Sequence, residues 1–119
     1  MEYKTCSTSE VRIVCSLQEG EAGPIHDLAE IEAVCRAYCE EVGLGVTLVP
    51  GVSVYAGGRA PTVVIYLFND PRVSPDWIEL QKNALALAER VMLCAHQTAC
   101  SVIMSPGATF RVEQPAAVI

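Results

Sequence analysis

Apolar and polar positions along the chain change period four times, and each change marks an element. Residues 1–9 are polar and read as a frayed start. Val11, Ile13, Cys15 and Leu17 then alternate with Arg12, Val14, Ser16 and Gln18, the period of two expected of a strand. Glycines 20 and 23 and Pro24 mark a loop. Asp27 with Glu30 three residues later has the form of a helix-capping box, although Pro24 offers an alternative start. Leu28, Ile31, Cys35, Tyr38 (or Cys39) and Val42 recur at steps of three and four, one stripe of a helix that Gly43 is suited to end. Alternation returns from Gly45 to Tyr55, interrupted by Pro50-Gly51, which predicts an edge strand, a bulge or a break. Gly57-Gly58 predicts a turn into the run Thr62–Phe68, which ends at Asn69-Asp70-Pro71. Ser74-Pro75-Asp76 predicts a helix start. Trp77, Leu80, Ala84, Leu87, Val91 and Cys94 give that helix its inner face, widened by Ile78, Leu85 and Met92. Two short strands follow, over 99–104 and 109–113, and residues 114–119 read as a loose end.

The order is β-α-β-β-α-β with one further strand. Short connections and right-handed crossovers favour the split β-α-β plan, which resembles ferredoxin-like folds. The expectation is one α+β domain spanning 1–119. It has an antiparallel sheet, two helices on one face and an extra C-terminal strand. The strand over 62–68 is apolar on both faces. Val14, Val64, Tyr66, Phe68 and Tyr55 would therefore form an apolar patch on the open side of the sheet. Monomers rarely leave such a patch unused, so a homodimer or larger homo-oligomer is expected.

Composition narrows the partners. Eight basic and 14 acidic residues give a net charge of −6, which disfavours phosphate backbones and anionic membranes. No run approaches the ~18 apolar residues of a spanning helix. Met1-Glu2-Tyr3-Lys4-Thr5 lacks the basic, then apolar, character of a secretory signal. A chain of this length with periodic apolar segments does not depend on disulfide staples. The six cysteines read as reduced thiols, and the setting as cytoplasmic.

Candidate chemistry is sparse. Cys35, Cys39, Cys94, His96 and Cys100 could supply metal ligands, but C-x3-C with C-x-H matches no strong zinc spacing, and burial as small hydrophobes accounts for them. His26 and His96 are the two histidines. Cys94 and His96 diverge at i,i+2 on a helix, so a thiol–imidazole pair is not indicated. No glycine pattern has the strand–helix context of a phosphate loop. Arg59, Arg72 and Arg111, with Asn69 at a strand end, are the candidate ligand-binding residues. Guanidinium groups converging at a subunit interface would suit a small anion. With no catalytic signature, metal site or cofactor motif, the leading expectation is a non-enzymatic module binding a small anionic ligand or a protein. The alternatives are a small dimeric α+β enzyme with a pocket between sheet and helices, and an acidic interaction or inhibitor protein.

Overall fold

The computed structural model describes residues 2–3, 9–68, 77–105, 107 and 109–115. Its elements are β1 (Glu10–Ser16), α1 (Leu28–Val42), β2 (Thr47–Tyr55), β3 (Gly58–Phe68), α2 (Trp77–Cys94), β4 (Ala99–Ser105) and β5 (Thr109–Glu113). The fold is α+β. All five strands join one antiparallel sheet in the order β2-β3-β1-β4-β5. The segment 45–56, ambiguous in sequence, forms a single strand from Thr47. Pro50 is tolerated there because β2 is the sheet's edge.

Period two settles which side chains go inward. Val11, Ile13 and Cys15 of β1 share a face with Val63, Ile65 and Leu67 of β3 and with Cys100, Val102 and Met104 of β4. All are buried. Ile31, Cys35 and Tyr38 of α1 join that core, as do Leu80, Ala84, Leu87, Ala88, Val91 and Met92 of α2. Tyr38, not Cys39, is therefore the inward residue of its turn. Ile78, expected on the inner face, is 69% exposed, because the buried stripe of α2 begins at Leu80.

The α1 cap forms largely as the sequence indicates. Asp27 is extended and accepts from the Ala29 N–H at 3.0 Å. The reciprocal half of the box is absent, because the Glu30 carboxylate turns instead to His26 Nδ1, 3.3 Å away. Gly43 ends the helix at φ 72°, in the left-handed region that glycine enters without strain. The Ser74-Pro75-Asp76 start of α2 and the turn at Asn69-Asp70-Pro71 lie outside the described residues.

The hairpin of β2 and β3 reaches beyond the helices. Val52 and Val54 share the parity of the helix-facing Leu48 but are 51% and 80% exposed. No described helix in the chain is long and apolar enough to cross a membrane.

Candidate functional site

The open face of the sheet carries a trough of 330 Å³, near the lower end of the range for small-ligand pockets. Its floor comes from β1 and β3 through Val14, Ser16 and Thr62. Ser53 and Tyr55 of β2 form one wall, and Glu21 and Gln97 form the other. The period of two places these residues together, since Ser16 pairs with Thr62 and Thr62 with Gly51 across three strands. Thr62 is the buried polar residue of the described core margin, 5% exposed. Its hydroxyl lies 3.2 Å from Ala60 O and 2.8 Å from Ser53 Oγ. If Thr62 donates to the carbonyl, Ser53 donates to Thr62 and keeps its lone pairs for a ligand. Gly58 leaves room for the Tyr55 ring, because a Cβ there would come within 2.9 Å of Tyr55 Cε2. The far wall is pinned by Gln97 Nε2, which donates to Gln18 O at 2.8 Å.

A second hollow, of 500 Å³, lies between α1 and the start of β2, with Cys35, Cys39, Glu32 and Arg36 on its helical side. Its thiols are poor nucleophiles. Burial, with the neighbouring thiols, pushes Cys35 up to about 12, and burial raises Cys39 as well. The five described cysteines are free, and the structure does not gather Cys35, Cys39, Cys94, Cys100 and His96 into a metal set. The two histidines do meet. Their ring centroids are 4.8 Å apart, and both face Glu19, a loop residue that no periodicity marks.

The residues singled out as anion ligands are not brought together within one chain. Arg59 lies on the protruding hairpin, opposite Val54, on the helix-side parity. Arg111 lies on β5, on the open-face parity, and its Nε is hydrogen-bonded to Glu113. Strands β1 and β4 separate β3 from β5. Asn69 and Arg72 lie outside the described residues. Sequence reasoning named Tyr55 only as part of an apolar patch and missed Ser53, Thr62 and Gln97. Ser53 and Thr62 signal themselves only as polar side chains on the second face of otherwise apolar strands, and Gln97, in the connection between α2 and β4, gives no signal.

No family model and no curated protein sequence matches the chain. Among solved structures, a phage SAM lyase in complex with S-methyl-5'-thioadenosine shares the fold with a TM-score of 0.77 at 15% identity. The match covers 99% of this chain and 98% of that one. The phage SAM lyase in its apo state matches at 0.76 and 14% identity, over 92% of each chain. The shared architecture thus extends essentially end to end. It corrects the leading sequence expectation: a non-enzymatic module does not fit a chain whose whole-length structural neighbours are an enzyme. That expectation equated the lack of a protein nucleophile with the lack of an activity, and the two are separable.

Proposed function

We propose that this chain is a lyase acting on S-adenosylmethionine, with the open-face trough as its binding site. The observation that carries the reading is the end-to-end fold likeness to the phage SAM lyase in its complex with S-methyl-5'-thioadenosine. Removing S-methyl-5'-thioadenosine from S-adenosylmethionine means breaking the bond between sulfur and Cγ of the amino-acid chain. The substrate contains its own nucleophile for this. A carboxylate oxygen attacks Cγ, the O–Cγ bond forms, and the Cγ–S bond breaks with its electron pair passing to sulfur. The sulfonium becomes a neutral sulfide, and the four-carbon remainder closes as a five-membered lactone. Neither water nor a protein acid or base enters the balance.

Such a reaction asks little of side chains. The protein must bend the methionyl arm so that carboxylate and Cγ meet, a gain in proximity and orientation. It must also withdraw the two opposite charges from water as they annihilate. A trough of hydroxyls, an aromatic ring and apolar strand residues suits that task. The lack of histidine, lysine or cysteine among its lining residues is then no obstacle. Glu21 at the rim and the net charge of −6 favour a substrate whose sulfonium and ammonium outweigh its carboxylate.

The same proposal takes the strand order β2-β3-β1-β4, with both helices on one face, as a ferredoxin-like core to which β5 is added at the β4 edge. It keeps a second copy of the chain over the open face, where Tyr66 and Phe68 stack with centroids 6.4 Å apart and Phe68 is 51% exposed. That copy would exclude water from the trough. A joint role for Arg59 and Arg111 on the substrate carboxylate would also need it. Free thiols support a reducing, cytoplasmic setting.

The test is chromatography of S-adenosylmethionine incubated with the purified protein. S-methyl-5'-thioadenosine should accumulate with enzyme and time. Thr62→Val and Tyr55→Ala should each lower kcat/KM by about tenfold or more, the worth of one lost hydrogen bond or stacking contact. Substrate that outlasts the buffer control unchanged would overturn the proposal.

A further inference from the structure

Two connections meet at one end of the molecule, and together they bring three metal-ligating side chains. Glu19 comes from the loop after β1, His26 from the residue before the α1 cap, and His96 from the link between α2 and β4. One ligand atom from each lies within 4.8 Å of the other two. We propose that Glu19, His26 and His96 bind one divalent transition-metal ion of the zinc class. This inference is independent of the lyase reading.

The argument begins with the proton on His26. Its Nδ1 is 3.3 Å from Glu30 Oε2, and an ionised carboxylate can only accept, so Nδ1 carries hydrogen. In the neutral ring the other nitrogen, Nε2, then presents a lone pair. Nε2 is buried and has no hydrogen-bond partner, although Glu19 Oε2 is only 3.3 Å away. A lone pair facing a carboxylate calls for a positive centre between them, which a second ring proton or a metal ion can supply. The second imidazole against the same carboxylate, His96, favours the metal ion. The carboxylate–imidazole–metal relay from Glu30 through His26 is the usual outer-shell arrangement of zinc sites.

Spacing agrees for the two contacts of Glu19. Metal–ligand bonds of about 2.0–2.1 Å in a tetrahedron place donor atoms roughly 3.3 Å apart. Glu19 Oε2 is 3.3 Å from His26 Nε2, and its other oxygen, Oε1, is 3.1 Å from His96 Nδ1. The three donor atoms spread over as much as 4.8 Å, so binding draws the exposed His96 ring inward. Two imidazoles and a carboxylate leave the fourth position to water, and the His96 side chain, 63% exposed, gives it access. Backbone conformation adds a separate observation. His96 holds φ 51° at the end of α2, where Gln97 N–H bonds Met92 O and His96 N–H bonds Leu93 O. Glycine or asparagine ordinarily takes that place. Histidine there bears strain that a ligand role accounts for.

The experiment titrates cobalt(II) into full-length protein first stripped with chelator. One equivalent should bind, giving visible d–d bands without the near-ultraviolet charge-transfer band of a thiolate ligand, and zinc should displace it. His96→Asn, which suits the left-handed backbone, and Glu19→Gln should each weaken binding at least about tenfold. Glu30→Gln should weaken it roughly 10–100-fold by freeing the His26 ring. Cys94→Ser should bind as the parent does. Failure to saturate, a thiolate band, or unchanged affinity in both His96→Asn and Glu19→Gln with native circular dichroism would overturn the proposal.

Discussion

Cys15 shows how strongly burial dictates the chemistry of a single side chain here. Loss of solvation, with lesser contributions from Cys100 and Cys94, pushes its thiol up to about 12. Burial alone raises Cys100 to about 11. Both should stay unlabelled by iodoacetamide in native protein at pH 8 and react once urea unfolds it, as mass spectrometry can show. Rapid native labelling at Cys15 would contradict the packing. Below pH 9 the thiols are protonated in both folded and unfolded chains, and their contribution is complete. Above the ordinary value of 9.0 the unfolded chain loses protons that the folded one keeps up to about 12. Stability should therefore fall from pH 9 toward 12, by about 1.4 kcal/mol per pH unit for each such thiol. A urea midpoint unchanged between pH 8 and pH 10 would refute this. His96 makes a second residue-scale prediction. With chelator present, His96→Gly should raise stability by up to about 1 kcal/mol, since relief of the left-handed strain outweighs loss of the exposed contact with Glu19. Among the site residues, His26 and His96 were visible as types in the sequence, but Glu19 was not. It sits seven positions before His26 in a loop, and only the fold closes that distance.

At the scale of elements, periodicity carried most of the information. The helices and strands lie where the steps of three-to-four and of two place them, because those steps fix which side chains a single core can hold. Leu87 is fully buried between α2 and the sheet. Leu87→Ala should cost about 2–5 kcal/mol, read as a lower denaturant midpoint at unchanged slope. The contact between helices was less legible. Tyr38 Oη donates to Asn83 Oδ1 at 3.1 Å. Arg90 forks onto Glu41 at 2.7 and 3.2 Å while its guanidinium lies 4.7 Å from the centre of the Tyr38 ring. The hydrogen bond from Arg90 holds the Glu41 carboxyl below its usual range. The two hydrogen-bonded pairs are 45 and 49 residues apart, beyond any local pattern. The outer half of the β2–β3 hairpin is the clearest departure from expectation at this scale. Alternation assigns Val52 and Val54 to the core face, but the strands outrun the helices that would cover them.

For the whole molecule, the described residues seal one face of the sheet and leave the other open. β5 lengthens the sheet at the β4 edge and leaves the apolar side chains of the open face in view. An apolar open face next to an exposed edge strand is a surface that proteins ordinarily cover. Light scattering should give a mass above that of one chain. Tyr66→Asp should return it to one chain with circular dichroism preserved, whereas a monomeric parent would remove the oligomer from the account. The α+β shape could be read from pattern, but activity could not. A sequence advertises activity through groups that attack or transfer protons, and the proposed reaction needs neither from the protein. Its requirements are a trough assembled from three strands and exclusion of water, and both exist only after folding.

The most direct measurement is proton NMR of S-adenosylmethionine incubated with the protein. The account predicts loss of the sulfonium methyl resonance with equimolar growth of S-methyl-5'-thioadenosine and a four-carbon amino-acid lactone. A sulfonium signal that persists at its uncatalysed rate, or a vinyl product in place of the lactone, would contradict it.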